Sequence, residues 1–287
     1  MKKSKISVLI LSLLVILFTS SCSLKTDHLE DATIYTTVYP INYLTKYLYG
    51  DYGKISSIYP LDANLDKYKL TKKQIRNYAS GDLFIYNGLT KEKDIAKTLI
   101  NKNKDLLIID VSYGLSLNND PIELWLSPNN YLMLAKNIRN NLTEYVESKI
   151  ISEAIDVKYN EFSEKISLLD ARLHNIGKNA SDSGKNTVIV SNNGFKYLEN
   201  YGFKVISMQD ESNLKERKLN TIKQRFDDGK YKYILVADSD ADNKTIKDLI
   251  DNHSAKSIKV DTMTLSLTED YFDIMIDYIE SINSAAC

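Results

Sequence analysis

Three carboxylates and one amide stand where an α/β chain keeps its polar machinery: Asp66, Glu123, Asn192 and Asp261. In open α/β sheets, ligands bind at the carboxyl ends of the strands. Asp66 falls in the loop after the second strand predicted from the sequence. Glu123 falls in Asp120-Pro121-Ile122-Glu123-Leu124-Trp125-Leu126-Ser127-Pro128. Asn192 follows the first strand of the second half, and Asp261 ends its last strand. Each half therefore supplies two of the four. Gathered in one cleft, they would make an oxygen-only donor set that suits Mn²⁺, Mg²⁺ or Ca²⁺. Zn²⁺ favours imidazole and thiolate. The same residue types also end strands and cap helices for purely structural reasons, so each residue taken alone carries little weight.

Other chemistry finds little support. The three histidines, His28, His174 and His253, read as surface or packing residues. Asp238-Ser239-Asp240-Ala241-Asp242 imitates the start of a calcium loop, but Asn243 stands where Gly belongs and Leu249 where the bidentate Glu belongs. No Ser-His-Asp or Cys-His set and no phosphate-cradling glycine loop is evident, and the ten glycines are scattered. A carboxylate pair, Asp66 with Glu123, is the one hydrolytic alternative; the reading is that the chain is not an enzyme. A formal net charge of −1 with well-mixed signs gives no bias toward nucleic acid.

The elements that must position these residues are organised around Asn129 to Ile176, a stretch without Gly or Pro. Ser127-Pro128 reads as an N-cap followed by Pro at the first helical position. Tyr131, Leu134, Ile138, Leu142 and Tyr145 keep helical spacing, and a polar patch at Glu147 to Glu153 allows a break. Tyr159, Phe162, Ile166, Leu169, Leu173 and Ile176 form a second apolar stripe, with Gly177 as its expected stop.

Strands are expected at Thr33–Tyr39, Ile55–Tyr59, Leu83–Tyr86 and Leu106–Val111, with helices between them. Beyond the beam, strands are expected at Thr187–Val190, Val205–Met208, Tyr233–Ala237 and Ser257–Asp261. The helices of this half are expected at Gly194–Tyr201, Leu214–Phe226, Lys244–Asn252 and Thr268–Ile282. The fold class is α/β: two (βα)₄-like lobes with parallel sheets, joined by a long helix, with a ligand cleft between them. The lobes span 32–128 and 178–287, with a helical segment at 129–177. Tyr is over-used, at 20 residues, and reads as core and half-buried surface.

The N-terminus reads as a targeting segment over residues 1–22. Lys2, Lys3 and Lys5 precede the apolar run Ile6–Phe18 of 13 residues, too short to span a bilayer as a mature helix. Thr19-Ser20-Ser21-Cys22 resembles the bacterial lipobox, which makes Cys22 the lipidated first residue of the mature protein. An ordinary signal peptide with an incidental Cys is the alternative. Cys287 is the only other cysteine, so no structural disulfide is expected. Residues 23–31 read as a polar tether, and the mature chain as soluble but anchored to the membrane.

Nearly the whole mature chain resembles the zinc/manganese-type substrate-binding lipoproteins of bacterial ABC importers. Thr36-Thr37-Val38-Tyr39-Pro40 is similar to their opening strand. Asp66-Lys67-Tyr68-Lys69-Leu70-Thr71 and Asp82-Leu83-Phe84-Ile85-Tyr86-Asn87-Gly88 are similar to their first ligand loop and next strand. Glu123-Leu124-Trp125-Leu126-Ser127-Pro128 is similar to their His-x-Trp-x-Asp-Pro motif. Val190-Ser191-Asn192-Asn193-Gly194-Phe195 resembles the third ligand segment, and Leu267-Thr268-Glu269-Asp270-Tyr271 the start of the final helix.

The resemblance implies two α/β lobes bridged by one long helix, a metal ion between them, and ABC permease and ATPase subunits as partners. It also implies an extracytoplasmic, lipid-anchored monomer. Asp66 and Glu123 stand where the family has its first and second His, and Asn192 where it has a third His or an acid. Only Asp261 keeps the expected type. This departure leaves three readings: a site re-tuned to a harder cation, an adhesive surface lipoprotein that has lost the metal, or a receptor for a non-metal solute.

Overall fold

The computed structural model describes residues 29–60, 63–65, 67–264 and 270–286. The leader with Cys22, most of the tether, Asp66, the expected helix start at Thr268 and Cys287 lie outside the described residues.

The first sheet is β1 (Ala32–Thr36), β2 (Gly53–Ser57), β3 (Leu83–Tyr86) and β4 (Leu107–Asp110), in the order β2-β1-β3-β4 with every pair parallel. Helices α1 (Tyr39–Tyr49), α2 (Lys72–Ala79) and α3 (Glu92–Lys102) make the crossovers. All four residues of β3 are buried, as a strand covered on both faces requires. The second sheet repeats the order as β6-β5-β7-β8, again all parallel. Its strands are β5 (Thr187–Val190), β6 (Lys204–Ser207), β7 (Tyr233–Ala237) and β8 (Lys256–Val260).

Between the sheets lie α4 (Glu123–Leu126), α5 (Pro128–Tyr145) and α6 (Lys149–Asp182). The Ser127 hydroxyl accepts from the Asn130 amide and starts α5, while the Ser148 hydroxyl accepts from Ile151 and starts α6. The chain breaks between these helices, within the expected polar patch. Helix α6 has 34 residues, about 50 Å at 1.5 Å per residue. Phe162, Ile166, Leu169 and Leu173 are buried along it, and it packs on α5, on α1 of the first lobe and on α10 (Tyr271–Ala285) of the second.

Several boundaries differ from expectation. Gly177 does not stop α6, which runs on to Asp182. A Cβ at Gly177 would lie 1.9 Å from the Tyr201 carbonyl oxygen, so this glycine serves close approach rather than termination. Strand β1 ends at Thr36 and α1 takes in Tyr39 and Pro40, since Pro in a first helical turn loses no needed hydrogen bond. Asn193–Tyr201 forms a 3₁₀ helix rather than an α-helix. The helix expected from Leu214 is two, α7 (Glu211–Leu214) and α8 (Glu216–Asp227). The calcium-like run folds as a short 3₁₀ turn, after which Asn243 caps α9 (Lys244–Asn252). Leu29 is fully buried, with the Tyr49 hydroxyl donating to its carbonyl at 2.9 Å. The folded lobe therefore begins inside the expected tether.

Aromatic rings join the lobes. Tyr131 of α5 stands 4.2 Å from Tyr271 of α10 and 5.6 Å from Phe162 of α6, ring centre to ring centre. Tyr43 of α1 lies 5.8 Å from Tyr271, and its hydroxyl donates to Asp270 at 2.7 Å. These tyrosines sit where apolar contact and a polar tip are both needed. Among the described residues no helix is long and apolar enough to cross a membrane.

Candidate functional site

The carboxyl ends of both sheets converge on residues 118–126. From the first lobe the chain leaves β4 through Val111 and Ser112, whose hydroxyl and amide both donate to Asp110, and arrives at the single turn α4. Every α4 side chain is buried. Glu123, 4% exposed, accepts from the Asn118 amide at 3.0 Å and from the Asn119 carboxamide at 3.1 Å. Its carboxylate therefore closes the loop on which it sits, with acceptor capacity left over.

The second lobe meets this stretch at three points. Asn192, 4% exposed, accepts from the Gly194 amide at 2.7 Å and points its own NH₂ to Asp120 at 3.5 Å. Gly194 allows the approach: a Cβ there would lie 2.3 Å from Ile122 Cγ1. Trp125 donates to the Thr262 carbonyl at 2.6 Å, and the Tyr271 hydroxyl donates to the Trp125 carbonyl at 2.7 Å. Trp125 is thus a tie between the lobes, anchored one residue beyond Asp261.

Asp261 accepts from the Met263 amide at 2.7 Å, and the fully buried Met263 takes φ 56° to make that turn. A left-handed backbone at a non-glycine residue costs about 1–3 kcal/mol, so the loop after β8 is held by its surroundings. Asp261 also borders a small polar cavity with Lys259, Asp277, Tyr278 and Ser281.

Of the four candidate ligands, Asn192 meets Asp120 of the Glu123 turn, and Asp261 follows β8, which β7 separates from β5 in the sheet. Asp66 is outside the described residues. Among the described residues no group of three His, Cys, Asp or Glu side chains is placed to hold a metal ion. His174 approaches Asp170 at 3.8 Å and lies tilted against Tyr201 at 4.5 Å, ring centre to ring centre, while His253 meets Asp227 at 3.0 Å. Both lie in surroundings of their own.

Asp120 and Glu92 are two acids whose placement the sequence did not announce. Asp120 stands within the motif but reads there as a turn residue. Glu92 opens α3, is 6% exposed, and accepts from the Asn87 amide at 2.7 Å. Burial, with Asp110 nearby, pushes its carboxyl up to about 7, even though the Asn87 bond and the adjoining Thr37 hydroxyl favour the anion. That hydroxyl completes no hydrogen bond of ordinary geometry within the described residues. A Glu in a helix-start sequence such as Lys91-Glu92-Lys93 gives no sign that it is buried.

Known proteins share this architecture. The metal-dependent lipoprotein YcdH from Bacillus subtilis superposes with a TM-score of 0.72 at 22% identity, over 89% of this chain and 99% of that one. The zinc-bound ZnuA-like domain of Streptococcus pneumoniae AdcA gives a TM-score of 0.72 at 20% identity, over 89% and 99%. At these identities the likeness establishes the fold. In sequence, the iron-binding protein YfeA of Yersinia pestis is 26% identical over 190 residues, covering 63% of this chain and 60% of YfeA. The zinc-binding lipoprotein AdcA of Streptococcus pneumoniae is 24% identical over 226 residues, covering 71% of this chain and 44% of AdcA. The chain thus spans about half the length of the curated relatives it matches. The model of the ZnuA family, zinc-uptake complex component A, periplasmic, matches residues 34–285, and the chain belongs to that family.

Proposed function

We propose that the chain is the solute-binding component of a metal-type ABC importer. It takes a divalent metal ion between its lobes and passes it to a membrane permease served by an ATPase subunit; it catalyses no reaction. The observation that carries this reading is the convergence of both sheets' carboxyl ends on the Glu123 turn, in a chain matched by the family from residue 34 to residue 285.

Asp66, Glu123 and Asp261 are the proposed ligands, with Asn192 as a weaker fourth. Relatives bear the names of zinc- and iron-binding proteins, but their cargo does not fix this one. An all-oxygen set supports Mn²⁺, Mg²⁺ or Ca²⁺ over Zn²⁺. Cys22 is proposed as the lipidated mature N-terminus, which places the protein on the outer face of the cytoplasmic membrane. Two or more acyl chains there would give stable anchoring.

Calorimetric titration of metal-free protein with each cation tests the cargo. Binding tighter than about millimolar, the weak end of oxygen-ligand calcium sites, is expected, and should be lost in Asp261→Ala and Glu123→Ala. Unaltered binding in both variants would move the site elsewhere; no binding by the parent protein would leave a metal-free surface lipoprotein.

A further inference from the structure

The two carboxylates of the junction turn are used unequally. Glu123 holds Asn118 and Asn119 with its two oxygens, at 3.0 and 3.1 Å, and so fixes the turn that presents Asp120. Asp120 is half-buried, and its Oδ1 accepts from the Ile122 amide at 3.1 Å. Its Oδ2 faces the other lobe, where the Asn192 NH₂ stands 3.5 Å away. That is longer than the usual range of about 2.7–3.2 Å. No Lys or Arg pairs with Asp120 among the described residues. A carboxylate oxygen met by one weak donor keeps most of its capacity to accept.

The Asn192 amide presents its NH₂ to Asp120 because its oxygen is held by the Gly194 N–H at 2.7 Å; the reverse orientation would set two donors against each other. Turned over, the oxygen would stand where the nitrogen is now, 3.5 Å from Asp120 Oδ2. Two oxygens at adjacent corners around one cation lie about 2.8–3.7 Å apart, for cation–oxygen distances of about 2.0–2.6 Å. The two side chains are therefore already spaced as ligands of one ion. One residue along, the enclosed Asn193 Oδ1 accepts no hydrogen bond among the described residues. A buried acceptor without a donor is a group that an ion's hydration water would satisfy.

We propose that Asp120 is a further cargo ligand, and that a bound cation takes the place of the Asn192 NH₂ at its Oδ2 by turning that amide over. The inference rests on the importer reading. It adds to the ligand set a residue outside the four positions at which the family resemblance places ligands. Asn192 is neutral and brings no charge to a cation; Asp120, facing it across the junction, supplies one. The turnover also releases the Gly194 N–H, because the Asn192 NH₂ cannot accept from it.

The test titrates the parent protein and its Asp120→Asn variant with Mn²⁺, Mg²⁺ and Ca²⁺ by calorimetry, with melting curves of both alongside. Asn keeps an oxygen for the Ile122 amide, so the variant should melt close to the parent protein. Its affinity for the cation that the parent protein binds best should fall by about tenfold or more, since oxygen-ligand sites are tuned by the number of charged ligands. A second readout needs no variant. Labelling Asn with ¹³C at the carbonyl and Gly with ¹⁵N selects the two Asn-Gly steps of the chain, Asn87-Gly88 and Asn193-Gly194. The Gly194 resonance should move as the cation is added. That of Gly88, whose amide bonds Asp110 at 2.9 Å, should stay. Equal affinity in parent protein and variant overturns the proposal, as does a Gly194 resonance that stays fixed while the parent protein binds its cation. A parent protein that binds none of the three cations refutes the oxygen-ligand cargo reading itself, and this inference with it.

Discussion

Replacing Glu92 by Gln should make the protein more stable at pH 8 and leave it nearly unchanged at pH 5. Glu92 is buried, and its carboxyl is pushed from 4.5 up to about 7. For an acid whose folded pKa lies above its unfolded one, the stabilising contribution is fully present below the unfolded value. It is lost as pH rises through the folded value. A gap of about 2.5 units at about 1.4 kcal/mol each is roughly 3 kcal/mol, most of it lost between about pH 5 and pH 7. Gln keeps an oxygen for the Asn87 amide and adds an NH₂ that can use the Thr37 hydroxyl. Its melting temperature should therefore stay flat where that of the parent protein falls. At pH 8 the variant should melt higher by about 6–12 °C, taking about 2–4 °C per kcal/mol for a chain of this size.

The assay is a series of melts from pH 5 to 8.5 on both proteins in chelator, so that bound metal does not add its own stability. The depressed carboxyls do not interfere in this window. Asp210, for example, is held down to about 2 by the Ser212 amide and by Lys196. Its contribution is present above the unfolded pKa and is lost only as pH falls toward 2. A Glu92→Gln variant less stable than the parent protein by the same amount at every pH would refute the reasoning. That result would mean the buried carboxyl stays ionised throughout and that the Asn87 bond to the anion outweighs burial.

Two further outcomes follow from close contacts. Gly177→Ala, which in an exposed helix interior would gain about 1 kcal/mol, should instead lower stability by about 1–3 kcal/mol by overpacking. The new methyl would sit 1.9 Å from the Tyr201 carbonyl; a rise in melting temperature would contradict that approach. Trp125→Phe should cost about 1–3 kcal/mol by leaving the Thr262 carbonyl without its buried donor, with a matching fall in the urea midpoint. An unchanged midpoint would show that Trp125 does not tie the lobes.

The sequence was most legible where one physical signal dominates. Apolar runs such as Leu83–Tyr86 are buried on both faces and could only be inner strands, and Ser127-Pro128 marked the start of α5 because cap and proline act through their nearest neighbours. Legibility failed where the deciding partner is remote in sequence. Gly177 carries the local signal of a helix stop, yet the residue that explains it, Tyr201, comes 24 positions later and approaches from outside the helix. Leu29 reads as tether until Tyr49 binds its carbonyl, and Glu92 reads as a solvated helix start until Thr37, Asn87 and Asp110 enclose it. The candidate ligands fall between these cases. Strand-end logic points to Asn192, just past β5, and less directly to Glu123, which opens α4 well beyond β4. Whether a carboxylate then serves the loop or a cation depends on how many of its acceptor sites the loop consumes. At Glu123 both oxygens already hold Asn118 and Asn119. A metal there must share an oxygen with those donors or displace one, and only displacement would change the hydrogen bonding around residues 118–123.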